Sequence, residues 1–166
     1  MSGEPPVVIS GTGIGMTRQV ESFEDDAGGV VYYRRHENGG GFVGRGAVVA
    51  DSARLGPMTY VEPHARIGAC TRVRHGSWID RQAQVGERTI IGDAVRVGHG
   101  TIIGNRVHIG SHSRIGAGAV IGHGARLAAD IRVPDGGRVA AQPRRRAGVV
   151  TDKRQRVRTP QKKLAA

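Results

Sequence analysis

Residues 85–121 read VGERTI-IGDAVR-VGHGTI-IGNRVH-IGSHSR-IGAGAV-I, and each hexapeptide begins with Val or Ile. The spacing continues in both directions, so that every sixth residue from Val43 to Val139 is Val, Ile or Leu, seventeen times in all. The residue after the aliphatic one is Gly in ten of these repeats. An internal repeat of this kind determines the architecture, and a period of six fits neither an α-helix nor a simple alternating strand.

Each hexapeptide can supply one short strand and one corner, and three of them close a triangular coil of 18 residues. Stacked coils pair their strands through backbone hydrogen bonds. The repeats therefore predict an all-β chain, a parallel β-helix of five to six triangular coils. We expect the Gly after each aliphatic residue to provide the positive φ of a tight corner. A small residue such as Ala47, Ala53 or Thr59 stands four places after the aliphatic one, which leaves room inside the narrow triangle.

Over residues 42–143 this pattern resembles the hexapeptide-repeat family of transferases and γ-carbonic-anhydrase-like proteins. The resemblance implies a left-handed β-helix that assembles as a homotrimer. Residues 130–143 (DIRVPDGGRVAAQP) are similar to the closing segment of that family, in which a Pro-Gly turn leads to a final rung and a proline exit. The order of hairpin, glycine run and repeats is also similar to hexapeptide-repeat proteins of phages and prophages.

The two ends of the chain differ from the repeats. Residues 29–35 (GVVYYRR) read as a strand that can pair with residues 19–23 (QVESF) across a turn at 25–28. We therefore expect residues 1–41 to form an N-terminal segment with a β-hairpin cap over the first coil. Residues 42–143 form the β-helix, and residues 144–166 form a basic tail.

Positive charge is concentrated in that tail. The chain has 25 Lys and Arg against 14 Asp and Glu, a net charge of +11, and ten of the basic residues but only Asp152 among the acids follow Gly137. Such an arm neutralises an anionic surface, either an acidic protein or nucleic-acid phosphate without sequence specificity. No aromatic residue accompanies it, so base stacking is not expected. The anion-binding candidates in the tail are Arg144, Arg145, Arg146, Arg154, Arg156 and Arg158.

The cysteine content and the apolar runs of the sequence predict the cellular compartment. Cys70 is the single cysteine, so no disulfide framework is expected. The sequence has no apolar run long enough to cross a bilayer and no signal-peptide pattern at its start. These features predict a cytoplasmic protein, or a virion-associated one if the chain is of phage origin, with no membrane partner.

Residues 18 apart stack above one another, and one outward column combines aromatic and arginine side chains. Its aromatic half predicts a buried contact, either between subunits or with the N-terminal hairpin. The three arginines, here called the arginine ladder, repel one another at strand spacing unless anions lie among them. Those anions are carboxylates of a neighbouring subunit or a bound phosphate or other polyanion. In order, the column is Phe42, Tyr60, Trp78, Arg96, Arg114 and Arg132.

The spacing of the histidines does not predict a metal site. His75, His99 and His123 are 24 residues apart, one coil plus one face, so they lie on three different faces. Residues 91–100 (IGDAVRVGHG) are similar to the signature of carbonic-anhydrase-like members around one zinc histidine. Gly104 and Gln84 stand where the other two zinc ligands would be. Catalytic zinc needs three protein ligands, so no metal is expected.

The resemblance also implies acyl transfer from acyl-CoA, with a histidine in an intersubunit cleft as the base and a carboxylate that orients it. His75 occupies the corresponding place of some sugar-modifying acetyltransferases, and Asp93 stacks directly above it. His99 is the second candidate. Acetyl-CoA would be the acyl donor, with its phosphates on the arginine ladder.

Two functions follow from these features. The main prediction is a non-catalytic trimeric scaffold or binding protein without a cofactor, attached to an anionic partner by its basic arms. It depends on the gapless repeats, the incomplete zinc signature and the segregated charge. The resemblance to phage and prophage proteins implies a phage or mobile-element component. The alternative is an acyl-CoA-dependent acyltransferase that uses His75 or His99.

Overall fold

A computed structural model of the chain describes residues 20–24 and 29–142. These residues form strands joined by turns, and no helix occurs among them. The strands are β1 (Val20–Glu24), β2 (Val30–Arg35), β3 (Phe42–Gly44), β4 (Val48–Val49), β5 (Arg54–Leu55), β6 (Tyr60–Val61), β7 (Arg66–Ile67), β8 (Arg72–Val73), β9 (Trp78–Ile79), β10 (Gln84–Val85), β11 (Ile90–Ile91), β12 (Arg96–Val97), β13 (Ile102–Ile103), β14 (His108–Ile109), β15 (Arg114–Ile115), β16 (Val120–Ile121), β17 (Arg126–Leu127), β18 (Arg132–Val133) and β19 (Arg138–Val139).

From β3 onward the strands fill three parallel sheets in turn. The first sheet has the order β1-β2-β3-β6-β9-β12-β15-β18, the second β19-β16-β13-β10-β7-β4, and the third β17-β14-β11-β8-β5. Each strand pairs with the strand 18 residues later, as Arg96 does with Arg114. The predicted fold class, an all-β parallel β-helix with three strands per coil, is confirmed.

The core is a column of aliphatic side chains inside the triangle. Leu55, Ile79, Ile91 and Ile109 are fully buried, and each contributes roughly 1.5–3 kcal/mol by leaving water. At the C-terminal end Leu127 and Val139 are only partly buried. The interior is filled by the aliphatic residue of each hexapeptide together with the smaller residue four places later, such as Ala53 or Val95.

Buried hydroxyls occupy the small-residue place in several coils. Thr89 is fully buried, and its Oγ1 donates to the Gly104 carbonyl at 2.9 Å and accepts the Val107 N–H at 3.3 Å. Ser77 makes the same pair of contacts with Gly92 and Val95. A Thr or Ser at this position therefore does more than leave room inside the triangle, because its hydroxyl also forms hydrogen bonds to the next coil.

The glycines after the aliphatic residues have a different role from the one expected. Gly56 and Gly68 are among them, and none of the ten has a positive φ. A Cβ on Gly68 would lie 2.8 Å from the Glu87 nitrogen in the next coil. The positive φ values fall two residues later, at residues such as Met58 (54°) and Cys70 (56°). The prediction of positive φ at these glycines was wrong, because close stacking of coils is what requires them.

At the N-terminal end, β1 and β2 pair antiparallel, and β2 pairs antiparallel with β3. The hairpin thereby covers the edge strand of the first sheet. The predicted turn at residues 25–28 and the basic tail at 144–166 lie outside the described residues. In the part of the chain that the structure describes, no helix is long and apolar enough to cross a membrane.

Candidate active site

His75 lies in the turn between β8 and β9, with its side chain exposed to solvent. The following Gly76 has a φ of 66°, which lets the chain turn the corner to the next sheet immediately after the histidine. One coil above, the Ala94 N–H donates to the His75 carbonyl at 2.9 Å. This bond fixes the register that places Asp93 over His75.

The structure brings His75 and Asp93 to one cavity of about 300 Å³. The Arg74 Nη1 lies 3.7 Å from the Asp93 Oδ2, and the Ser111 Oγ donates to the same oxygen at 3.5 Å. The Asp93 N–H donates to the Ser111 Oγ at 3.1 Å. In this structure the carboxylate is therefore held by Arg74 and Ser111, while the imidazole faces the cavity.

Three arginines make this cavity positive. Arg54 and Arg72 lie opposite each other on β5 and β8, and both are exposed. Arg74 adds a third guanidinium, and the Asp93 carboxylate is the one acidic group of the lining. The remaining lining residues are Gly56, Val73 and Ile90. Such a cavity attracts an anionic ligand to a histidine.

His99 lies at a different corner, in the turn between β12 and β13, and is also exposed. It lines a second cavity of about 550 Å³ that does not include His75. The Gly100 N–H donates to the Arg81 carbonyl at 3.0 Å, which places His99 above Arg81 as the 18-residue spacing predicts. The two candidate histidines thus lie on separate surfaces of the β-helix.

The arginine ladder lines this second cavity. Arg96, Arg114 and Arg132 lie in register on β12, β15 and β18, and all three are exposed. The other anion-binding candidates, Arg144, Arg145, Arg146, Arg154, Arg156 and Arg158, lie outside the described residues, so their role stays a prediction.

The aromatic half of the same column packs against the N-terminal hairpin. The rings of Phe42 and Tyr60 stack with centroids 4.9 Å apart, and Trp78 continues the column at 5.1 Å from Tyr60. Tyr33 of β2 meets Tyr60 edge-on at 5.9 Å. Phe42 is buried, whereas Trp78 keeps 37% of its surface exposed. Of the two predicted contacts, the structure describes the one with the hairpin.

Sequence reasoning missed one buried polar pair. The Tyr33 hydroxyl donates to the Glu62 Oε1 at 2.7 Å, and both residues are buried. Burial raises the pKa of both groups, and the Glu62 hydrogen bond raises that of Tyr33 further. The available signal was an acidic residue at Glu62, in the place that Gly occupies in most repeats.

Within residues 20–24 and 29–142, no group of three or more His, Cys, Asp or Glu side chains lies close enough together to hold a metal ion.

Comparison with known families identifies the repeats. The family model described as bacterial transferase hexapeptide (six repeats) matches residues 82–117 and 95–129. The predicted resemblance to the hexapeptide-repeat family is thereby confirmed. No curated protein sequence matches the chain significantly.

The chain is similar to several solved structures, among them an acetyltransferase domain that has the same kind of fold. The acetyltransferase domain of PglB from Neisseria gonorrhoeae FA1090, in complex with acetyl coenzyme A, is 22% identical with a TM-score of 0.55. That match covers 59% of this chain and 50% of that chain, so the present chain spans half the length of this relative. A putative acetyltransferase from Bacillus cereus is 18% identical with a TM-score of 0.44, over 57% of this chain and 69% of that one.

Proposed function

We propose that this hexapeptide-repeat protein is an acyl-CoA-dependent acyltransferase and that His75 is its general base. The observation that carries the proposal is the positive cavity in which an exposed imidazole lies beside Asp93. The match to a bacterial transferase family supports it, as does the shared fold with a domain that binds acetyl coenzyme A. The alternative function from the sequence thus has more support than the scaffold.

The chemistry assigned to His75 is proton removal. When bound, acyl-CoA supplies an acyl group activated as a thioester. His75 takes the proton of an acceptor amine or hydroxyl as that nucleophile attacks the acyl carbon. The new carbon–nitrogen or carbon–oxygen bond replaces the carbon–sulfur bond, and the proton passes to the departing sulfur.

We assign to Asp93 the role of positioning the His75 imidazole. Its partner Arg74 has a side chain that is 63% exposed, and an exposed ion pair of this kind is weak, at roughly 0–1 kcal/mol. Asp93 can therefore exchange Arg74 for the imidazole at little cost when a substrate enters. The carboxylate then stabilises the imidazolium that proton transfer creates.

Anionic parts of the substrates fit the other side of the cavity. Arg54 and Arg72 present two neighbouring guanidinium groups, which bind phosphate in a forked geometry. The positive lining thus suits a phosphate-bearing donor. Ile90, which is partly exposed, provides a small apolar surface for the acyl chain.

A homotrimer is the assembly that we propose. The outward column of the second sheet carries Val48, which is 60% exposed, and Ile102, which is 47% exposed, with Val120 one coil above Ile102. Arg66 and Gln84 separate Val48 from Ile102, so the apolar part of the column is the adjacent pair of Ile102 and Val120, which is suited to contact another subunit. A neighbouring subunit would narrow the open cavity at His75 into a cleft. Sedimentation analysis of wild type and Ile102→Arg tests this assignment.

The scaffold with anion-binding arms is the weaker candidate. Its specific prediction depends on residues 144–166, which the structure does not describe. The described coils are joined by turns of uniform length without an inserted loop, which suits a rigid scaffold equally well. Deletion of residues 144–166 tests it, because loss of partner association with an intact assembly would favour the scaffold.

The deciding experiment combines binding with turnover. The full chain is titrated with acetyl-CoA by calorimetry, and thiol release is then followed with a panel of amino sugars and other amines. We expect one saturable site per chain and turnover that His75→Ala removes. His64→Asn is the matched control, because His64 is another exposed turn histidine and Asn tolerates its φ of 64°. Absence of acetyl-CoA binding would contradict the function, and turnover retained in His75→Ala would contradict the assignment of the base.

A further inference from the structure

The arginine ladder is a second, separate concentration of positive charge. Its three residues occupy the same position on β12, β15 and β18. The backbones of consecutive ladder residues therefore lie one strand spacing, about 4.8 Å, apart. They line the 550 Å³ cavity together with His99. None of them lines the cavity at His75.

No ladder arginine forms an ion pair with another described residue. Among residues 20–24 and 29–142 the ion pairs are Arg35–Glu21 and Arg74–Asp93, so none of the three ladder arginines is paired there. Like charges at strand spacing repel one another. The repulsion is relieved when a ligand supplies several negative charges along the same line.

Two carboxylates line the cavity, and both are engaged in holding its turns. The Asp80 Oδ1 accepts the Arg81 N–H at 2.7 Å, and the Asp135 Oδ1 accepts the Ala117 N–H at 2.8 Å. Both residues lie in the turns that follow strands of the first sheet, beside the ladder rather than within it. The guanidinium groups therefore remain available to a ligand.

We propose that the arginine ladder binds the diphosphate or triphosphate chain of a small molecule. A guanidinium group donates two parallel hydrogen bonds to phosphate oxygens, so each rung can hold one phosphate of the chain. The cavity volume lies within the range of small-molecule sites. Pro134 is exposed at the edge of the cavity and gives the body of such a ligand a small apolar surface beside the charged row.

The lining favours a small polyphosphate ligand over nucleic acid. Single-stranded nucleic acid is held by basic grooves that also offer aromatic side chains to successive bases. Here the cavity lining contains neither Phe, Tyr nor Trp. Trp78, the aromatic residue next to the ladder in the column, packs on Tyr60 below it. The three rungs match a ligand with a short row of charges.

The test is calorimetric titration of the full chain with tripolyphosphate at physiological salt. We compare wild type with Arg114→Gln, which removes the middle rung, and Arg96→Gln, which removes one end. The matched control is Arg126→Gln, an exposed strand arginine of the third sheet that lines neither cavity and whose cross-strand neighbour is His108. The basic tail is present in every variant, so its background binding cancels in the comparison.

We expect saturable binding that Arg114→Gln weakens about tenfold or more, as for loss of a charge-assisted hydrogen bond, while Arg126→Gln changes it less than twofold. Arg72→Gln, which removes an arginine of the cavity at His75, should weaken this binding less than Arg114→Gln does, which separates the ladder from the site of the proposed acyl transfer. Equal affinity in wild type and Arg114→Gln would overturn the proposal. Competition with CoA, a nucleoside triphosphate and a single-stranded oligonucleotide identifies the source. Displacement by either small molecule supports the proposal, and displacement by the oligonucleotide alone overturns it.

Discussion

The Tyr33 hydroxyl donates a 2.7 Å hydrogen bond to the Glu62 Oε1, and this contact joins the N-terminal hairpin to the second coil of the β-helix. Only 6% of Tyr33 and 5% of Glu62 are exposed. A buried carboxylate is costly without a donor. The hairpin is therefore attached to the β-helix by a polar contact as well as by the aromatic stack.

Replacing Tyr33 by Phe should destabilise the protein by about 1.5–3 kcal/mol, because the ring stays in place but the donor to a buried carboxyl group is lost. Tyr32→Phe is the control, since Tyr32 is the neighbouring strand tyrosine and is 50% exposed. Urea denaturation measures both changes. Equal stabilities of the two variants would show that the hydrogen bond contributes nothing.

The same pair predicts a dependence of stability on pH. Burial raises the pKa of the Glu62 carboxyl above its ordinary 4.5, against the opposing effects of the Tyr33 hydrogen bond and of Arg81. Above pH 4.5 the folded chain therefore holds this proton more tightly than the unfolded chain. Glu62 stabilises the fold below that pH, and its contribution is lost as the pH rises through the folded value.

Thermal melting from pH 4 to pH 8 should show this loss in wild type. Glu62→Gln keeps an oxygen acceptor for Tyr33 but cannot ionise, so its melting temperature should fall less across the interval. Identical pH profiles for the two proteins would exclude Glu62 as the source of the dependence.

Close stacking of coils predicts which glycines are indispensable. A Cβ on Gly68 would lie 2.8 Å from the Glu87 nitrogen and the Gly86 carbonyl carbon, so Gly68→Ala should cost about 1–3 kcal/mol. Gly118 has a φ of 63° and open space around it. Gly118→Asn should therefore cost less, since Asn tolerates that φ. Denaturant midpoints compare the two, and an equal loss would contradict the stacking argument.

The buried hydroxyls give another test of how the coils are held together. Thr89→Val should cost about 1–3 kcal/mol, because the Val107 N–H loses its acceptor and the Gly104 carbonyl loses a donor. Valine fits the place sterically, as Val95 and Val107 show. Thr89→Ser keeps the hydroxyl and should cost less. Thermal unfolding of both variants decides whether the hydrogen bonds or the volume matters.

The 18-residue spacing was enough to predict the three sheets and the register of the column from Phe42 to Arg132, because stacking in a β-helix follows directly from the period. It could not show that Gly68 serves close approach rather than positive φ, since that depends on the distance between coils. The Tyr33–Glu62 pair depends on where the hairpin docks, which no repeat determines. The contact of Arg74 with Asp93 likewise depends on how two turns project side by side.

The proposed roles of His75 and Asp93 predict unequal kinetic losses. His75→Ala should lower kcat/KM by about 10²–10⁴-fold, the usual contribution of a general base. Asp93→Asn should lower kcat by a smaller factor with little change in KM, and should shift the pH–rate profile, because the carboxylate acts through the imidazole. Arg74→Gln is the control, since it removes the other partner of Asp93 without touching the base. Stopped assays of thiol release across pH provide the measurement, and an unchanged pH profile in Asp93→Asn would leave that residue with a structural role alone.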